Sequence, residues 1–106
     1  MFLYSGIAQT KPVKDGNYSF KIFDSEYQKT TASCQVVING LHVNVRIKEN
    51  YSSVPYSKNQ LVYNGTLKKV RNQWYIIEPG GPAVNDPEFN YQTPRIDFKR
   101  MYIIHN

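Results

Sequence analysis

Apolar and polar residues alternate along most of the chain, a pattern that is typical of β-strands with one buried face. The periodicity of about 3.6 residues that marks an amphipathic helix is nearly absent. The alternation predicts strands over Phe2–Ile7, Asn17–Phe23, Leu61–Val70, Gln73–Glu78 and Arg95–Ile104, with a hairpin over Thr31–Lys48. We therefore expect an all-β fold of six to eight strands, either a single antiparallel β-barrel (lipocalin-like or smaller) or a β-sandwich.

The hairpin is the most detailed of these predictions, because turn chemistry and hydrophobic pattern agree on it. Asn39-Gly40 is a preferred central pair of a type I′ turn, in which both positions need positive φ. With these two residues as the loop, one face carries only apolar pairs: Ile38–Leu41, Val36–Val43, Cys34–Val45 and Ala32–Ile47. That face is expected to be buried, and His42 then lies on the solvent-facing side.

Two of the predicted strands contain a feature that interrupts the alternation. Gly65 lies inside Leu61–Val70 and indicates a bulge or a bend. In Arg95–Ile104 the apolar positions change parity. A bulge or a tight turn at Lys99-Arg100 would restore a single apolar face there.

The size and composition of the chain limit the classes of protein it fits. Its 106 residues are enough for one domain, which we place over 1–106. Hydrophobic residues make up 41% and charged residues 20%, as expected of a globular rather than a disordered chain. No apolar run approaches the length of about 18 residues that a membrane helix needs. Cys34 has no second cysteine to pair with, so we expect a reducing, cytoplasmic location.

The charge of the chain is basic but dispersed. The net charge of +5 comes from 13 Lys+Arg against 8 Asp+Glu. Basic proteins often bind anionic partners, and a clustered charge would favour nucleic acid. Here the longest basic runs are the doublets Lys68-Lys69 and Lys99-Arg100. Nucleic acid is therefore an alternative partner rather than the leading one.

Five short segments resemble, in their order along the chain, a set of small uncharacterised β-rich proteins of Bacteroidota. These segments are Asp15–Phe20, Cys34–Gly40, Asn64–Lys68, Trp74–Ile77 and Ile96–Lys99, and the similarity spans about Lys14 to Tyr102. The resemblance implies a β-rich fold and no particular activity. This chain lacks two later cysteines of that pattern, so neither a disulfide nor a secreted location is carried over to it.

The reactive side chains are few, and no sequence motif of an enzyme is present. The chain contains no G-x-S-x-G, Walker A or G-x-G-x-x-G sequence. The predicted register places Cys34 and His42 on opposite faces of the hairpin, where they cannot act as a nucleophile and its base. One cysteine and two distant histidines cannot form a structural zinc site. We therefore expect a non-catalytic protein without a metal or other cofactor.

Binding is the remaining class of function, and two long connections are its expected location. Lys48–Gln60 and Pro79–Pro94 both carry aromatic residues and proline. Tyrosine and arginine contribute much of the energy of protein interfaces. The candidate contact residues are Tyr51, Tyr56, Phe89, Tyr91 and Arg95. They predict a small module that binds another protein, of the inhibitor or immunity type, and that is a monomer or a weak homo-oligomer.

Three alternatives stay open on the sequence alone. Phe89 and Tyr91 could plug one end of a barrel instead of contacting a partner. A basic OB-like barrel would bind single-stranded nucleic acid by stacking bases on Tyr63, Tyr75 and the tyrosines of Lys48–Gln60, with Lys68 nearby. A closed barrel would also hold a small ligand in its mouth.

Overall fold

The computed structural model describes residues 11–105, which form a closed β-barrel of seven strands. The strands are β1 (Gly16–Asp24), β2 (Lys29–Asn39), β3 (His42–Asn50), β4 (Leu61–Val70), β5 (Gln73–Ile77), β6 (Arg95–Asp97) and β7 (Tyr102–His105). One helical turn, α1 (Phe89–Gln92), lies between β5 and β6. The predicted all-β barrel is confirmed, and the sandwich alternative is wrong because the sheet closes on itself. The predicted strand Phe2–Ile7 lies outside the described residues.

The barrel is a meander in which each strand pairs with its neighbours along the chain. All of these pairs are antiparallel except the closing pair, in which β7 lies parallel to β1. An odd number of alternating strands makes the first and the last run in the same direction, so the closing pair has to be parallel. The expectation of a purely antiparallel barrel is therefore wrong at this one seam. Lipocalin barrels use more strands, and the Greek-key barrel of OB folds uses fewer.

Every strand sends apolar side chains into the barrel, and these form one core. An aromatic contact chain borders this core, in which the half-buried Phe98 lies edge-on to both Phe20 and Trp74 with ring centroids 6.2 Å apart in each case. Offset and edge-to-face arrangements are the favoured geometries of aromatic pairs. Cys34 lies in the same core and is fully buried, whereas His42 is exposed. The predicted faces of the hairpin are thus confirmed for the strand residues, but Leu41, which the predicted register places on the buried face, lies in the turn and is 44% exposed.

The register of the β2–β3 hairpin differs from the predicted one by two residues. Asn39 pairs with His42, so the loop consists of Gly40-Leu41 and not of Asn39-Gly40. Gly40 has a φ of 63°, while Leu41 does not adopt a positive φ. This combination is that of a type II′ turn, which needs a left-handed residue only at its first central position. The shift preserves the faces, because side chains alternate with a period of two.

The hairpin turn is held in place by residues that precede β1. The N–H of Gly40 donates to Asp15 Oδ1 at 3.0 Å, and the carbonyl of Gly40 accepts from Lys11 Nζ at 2.6 Å. Lys11 Nζ also donates to Asp15 Oδ1. The hydrogen bond from Lys11, followed by that from Gly40, lowers the pKa of Asp15. Asp15, which precedes Gly40 by 25 residues, therefore helps to fix the turn peptide.

The predicted last strand is in fact two strands, β6 and β7, joined by a tight turn over residues 98–101. Asp97 stabilises this turn, because its Oδ1 accepts the backbone N–H groups of Lys99 (3.0 Å) and Arg100 (2.9 Å). The turn brings Ile96 opposite Ile103, and both are buried. Of the two irregularities predicted at Lys99-Arg100, the tight turn is the one that occurs.

The irregularity of β4 lies at Val62 and not at Gly65. Tyr63 and Leu61 pair with consecutive residues of β3, so Val62 is an extra residue and Leu61 is exposed. Gly65 has a different role, since a Cβ atom there would lie 2.3 Å from the carbonyl oxygen of Ile77. A strand glycine at such a point allows another segment of backbone to approach closely.

Candidate functional site

The five predicted contact residues fall into two groups. Tyr51 and Tyr56 lie in the β3–β4 connection, where Tyr51 is exposed and Tyr56 is half-buried against the core. Phe89 and Tyr91 belong to α1, and Arg95 begins β6. Arg95 lines a surface cleft, and Phe89 and Tyr91 flank Asn90, which lines it too, whereas Tyr51 and Tyr56 do not. We therefore take the second group as the core of the candidate site.

Phe89 anchors the long β5–β6 connection to the outside of the barrel. Its side chain is 1% exposed and packs on Tyr75, with ring centroids 4.9 Å apart. Tyr75 points away from the core, since its neighbours Trp74 and Ile76 both point into it. Phe89 therefore neither plugs the barrel end nor offers an exposed contact, and it holds α1 against β5. Sequence reasoning treated this whole connection as a loop and missed α1.

The cleft has a volume of about 370 Å³ and is lined mostly by polar side chains. We name it the arginine cleft after two of its residues. Its polar lining consists of Arg71, Gln73, Tyr75, Asn90, Thr93 and Arg95. Ser25 and Ile104 complete the wall.

Strand register explains why these residues meet. Tyr75 of β5 pairs with Arg95 of β6, and Arg95 pairs with Ile104 of β7, so the three form one row across the outer face. Arg71 belongs to the two-residue turn between β4 and β5 and adopts a φ of 50°. The Phe89–Tyr75 contact brings α1, with Asn90, over the same row.

A small hydrogen-bond network orders the floor of the arginine cleft. Gln73 Oε1 accepts from the hydroxyl of Tyr75 at 3.1 Å and from Nη1 of Arg95 at 3.2 Å. The same hydroxyl lies 3.4 Å from Asn90 Oδ1, which links the network to α1. One amide oxygen thus positions both the phenol and the guanidinium, and Arg95 is held on a neutral partner.

The charge of the arginine cleft is not neutralised by nearby acids. Within residues 11–105, neither Arg71 nor Arg95 has a carboxylate oxygen within 4.0 Å. In this same range, no carboxylate belongs to the cleft lining. The cleft therefore presents two guanidinium groups and several neutral hydrogen-bonding groups to solvent.

A second cleft of about 460 Å³ adjoins the first and shares Arg95 with it. Lys99 and Arg100 add positive charge to its lining, but Asp97 lies there as well. Arg100 Nε is 3.8 Å from Asp97 Oδ2, so part of this charge is paired within the cleft. The structure thus gathers basic residues that looked scattered along the sequence.

Sequence reasoning identified Arg95 as a contact residue and Tyr75 as a base-stacking residue, and it missed the rest of the arginine cleft. A usable signal was present, because alternation in the predicted strand Gln73–Glu78 puts Gln73 and Tyr75 on one face. Arg71 lies in the turn immediately before them. The pairing that adds Arg95 to this set spans the whole β5–β6 connection, and no local pattern reports it.

The groups that could perform chemistry are separate from the cleft. Burial raises the pKa of the Cys34 thiol to about 12, against an ordinary value of 9.0. Such a thiol is protonated at neutral pH and is a poor nucleophile. In the described part of the chain, no three His, Cys, Asp or Glu residues come together as metal ligands. None of its helices has the length and apolar character needed to cross a membrane.

The buried thiol gives a direct test of the core. We expect a thiol reagent at about pH 8 to label Cys34 only when the barrel opens, and thus far more slowly than in denaturant. The unfolded thiol ionises near pH 9.0 and the folded thiol near 12. The free energy of unfolding should therefore fall as the pH rises between these values, and Cys34→Val should reduce that slope. Rapid labelling of the native protein would contradict the burial.

Comparisons with protein-family models, with curated proteins and with solved structures gave no match. The resemblance to small β-rich proteins of Bacteroidota therefore stays a prediction. What the fold and the site define is a small seven-stranded barrel with an arginine cleft on its outer face.

Proposed function

We propose that this protein is a non-catalytic module that binds another protein through α1 and the rim of the arginine cleft. The observation that carries the proposal is the position of Tyr91, which is 68% exposed on α1, the helical turn whose Asn90 lines the cleft together with the half-buried Arg95. Tyrosine and arginine are among the residue types that contribute most energy in protein interfaces.

The rigidity of this surface also supports a binding role. Phe89 fixes α1 to Tyr75, and the Gln73 network fixes Arg95. A surface whose side chains are already ordered loses less conformational entropy when a partner binds. The backbone that carries Tyr91 is therefore packed against β5, although it belongs to the longest connection of the barrel.

The alternatives receive less support. Base stacking needs exposed aromatic faces, but Tyr75 is 6% exposed, and Tyr63 and Tyr56 are half-buried against the core. Of the predicted stacking residues, Tyr51 alone is exposed, and it does not line the arginine cleft. The interior that would hold a small ligand contains the apolar core, including Trp74 and Ile76. The observation that keeps nucleic acid as a second candidate is the grouping of Arg71, Arg95 and Arg100 around two adjoining clefts.

A matched pair of tyrosine variants tests the proposal. Tyr91 and Tyr27 are 68% and 67% exposed, but Tyr91 lies on α1, the proposed contact element, whereas Tyr27 lies in the β1–β2 turn. We expect Tyr91→Ser to weaken partner binding roughly tenfold or more, and Tyr27→Ser to leave it unchanged. Both variants should keep the melting temperature of the parent, because neither side chain is buried.

The measurement is capture from a native lysate, half of it treated with nuclease, followed by affinity measurement on the purified partner. A protein retained in both halves and lost with Tyr91→Ser supports the proposal. Equal retention by the two variants would show that this surface is not the contact. Material recovered only without nuclease treatment would favour the nucleic-acid candidate, and its binding should weaken steeply with salt.

A further inference from the structure

The geometry points to an oxyanion-binding site in the arginine cleft, for a carboxylate or a phosphate group. This inference does not depend on the protein-binding role, because it concerns the chemistry of the cleft and not the identity of a partner. Among the residues that the structure describes, the cleft lining contains Arg71 and Arg95 but no carboxylate.

The guanidinium of Arg95 has hydrogen-bonding capacity that its contact with Gln73 does not use. This guanidinium makes one hydrogen bond to a neutral amide oxygen, Gln73 Oε1, at 3.2 Å. A guanidinium carries five N–H donors in a planar fork that matches carboxylate and phosphate oxygens. Because no carboxylate of residues 11–105 lies within 4.0 Å of Arg95, the bond to Gln73 orients the fork without compensating its charge. A group that supplies two anionic oxygens would complete it.

A neutral group, the amide of Gln73, holds the guanidinium of Arg95 in position. Gln73 Oε1 is already occupied by the hydroxyl of Tyr75 as well as by Arg95. This acceptor therefore already has two donors from within the protein. The second arginine, Arg71, adds further N–H donors to the cleft wall. A carboxylate in the lining would have repelled an incoming anion, and the neighbouring cleft contains such a group, Asp97.

The walls of the cleft also enclose the two arginines in part. The cleft volume of about 370 Å³ is that of a concave site rather than a flat patch. Charge-assisted hydrogen bonds gain strength where the surroundings exclude part of the solvent. An oxyanion group fits this volume together with part of the molecule to which it is attached. The source of that group is either an acidic side chain or a phosphate, and both share the same recognition chemistry.

The test uses three probes at constant ionic strength, each titrated into isotope-labelled full-length protein and followed by NMR. The probes are inorganic phosphate, a terminally blocked Ala-Glu-Ala peptide and its neutral Ala-Gln-Ala counterpart. We expect saturable shifts at the amides of Gln73, Tyr75 and Arg95 with at least one anionic probe and not with the neutral peptide. Tighter binding of the peptide identifies an acidic side chain as the source, and tighter binding of phosphate identifies a phosphate group.

The control variants separate a built site from general attraction to a basic protein. Arg95→Gln and Arg71→Gln should each weaken anion binding about tenfold, the usual loss of a hydrogen bond to a charged group. Arg46→Gln removes the same charge from β3 and should change nothing. Two results would overturn the inference: equal weakening by Arg46→Gln, or no saturable shift in the cleft with either anion. Unchanged spectra elsewhere in each variant confirm that it folds.

Discussion

Replacing Val36 with aspartate should remove a large part of the free energy of unfolding of the barrel. Val36 is 0% exposed and lies between Tyr18 of β1 and Val45 of β3. An aspartate there would bury a charge without a partner, at a cost of about 4 kcal/mol or more. Small domains have a total stability of only about 5–15 kcal/mol. Circular dichroism and urea denaturation at neutral pH measure the loss.

The matched control lies on the opposite face of the same hairpin. His42 is exposed, so His42→Ala should change the free energy of unfolding by less than about 0.5 kcal/mol. At low pH the carboxylate introduced by Val36→Asp becomes neutral, and part of the lost stability should return. Similar denaturation curves for the two variants would show that the assignment of the inner and outer faces is wrong.

The faces of the strands could be predicted from the sequence, but the register of the hairpin could not. In the observed register, Ile38 lies opposite Val43 and Val36 opposite Val45, so its inner pairs are as apolar as the predicted ones. Hydrophobic pattern therefore cannot distinguish two registers that differ by two residues. The contacts that select the Gly40-Leu41 turn come from Asp15, which is distant in sequence.

The same limit applies to the candidate site. Alternation in the predicted strand Gln73–Glu78 is enough to place Gln73 and Tyr75 on one face. The pairing of Tyr75 with Arg95, and the packing of Phe89 on Tyr75, depend on how the long connection returns to the barrel. An aromatic residue in a proline-rich connection is equally consistent with an exposed contact and with an anchor. Only the tertiary packing distinguishes the two roles.

Replacing Gly65 with alanine should destabilise the barrel almost as strongly as a charge in the core. The added Cβ would lie 2.3 Å from the carbonyl oxygen and 2.8 Å from the carbonyl carbon of Ile77, so backbone has to move. Glu78 ties the same crossing together, because its Oε2 accepts the backbone N–H of Asn64 at 3.1 Å. We expect a loss of about 3 kcal/mol and a melting temperature lower by roughly 10–20 °C.

The displacement should also reach the arginine cleft, because Ile77 and Glu78 lead into the connection that carries α1. NMR shifts of Gly65→Ala should therefore change at Phe89 as well as at the β4–β5 contact. Gly81→Ala is the matched control, since Gly81 does not adopt a positive φ and its added Cβ comes no closer than 3.2 Å to the carbonyl oxygen of Glu78. That variant should lose about 0.5 kcal/mol or less. Equal stability of the two variants would mean that β5 does not cross Gly65 at close range.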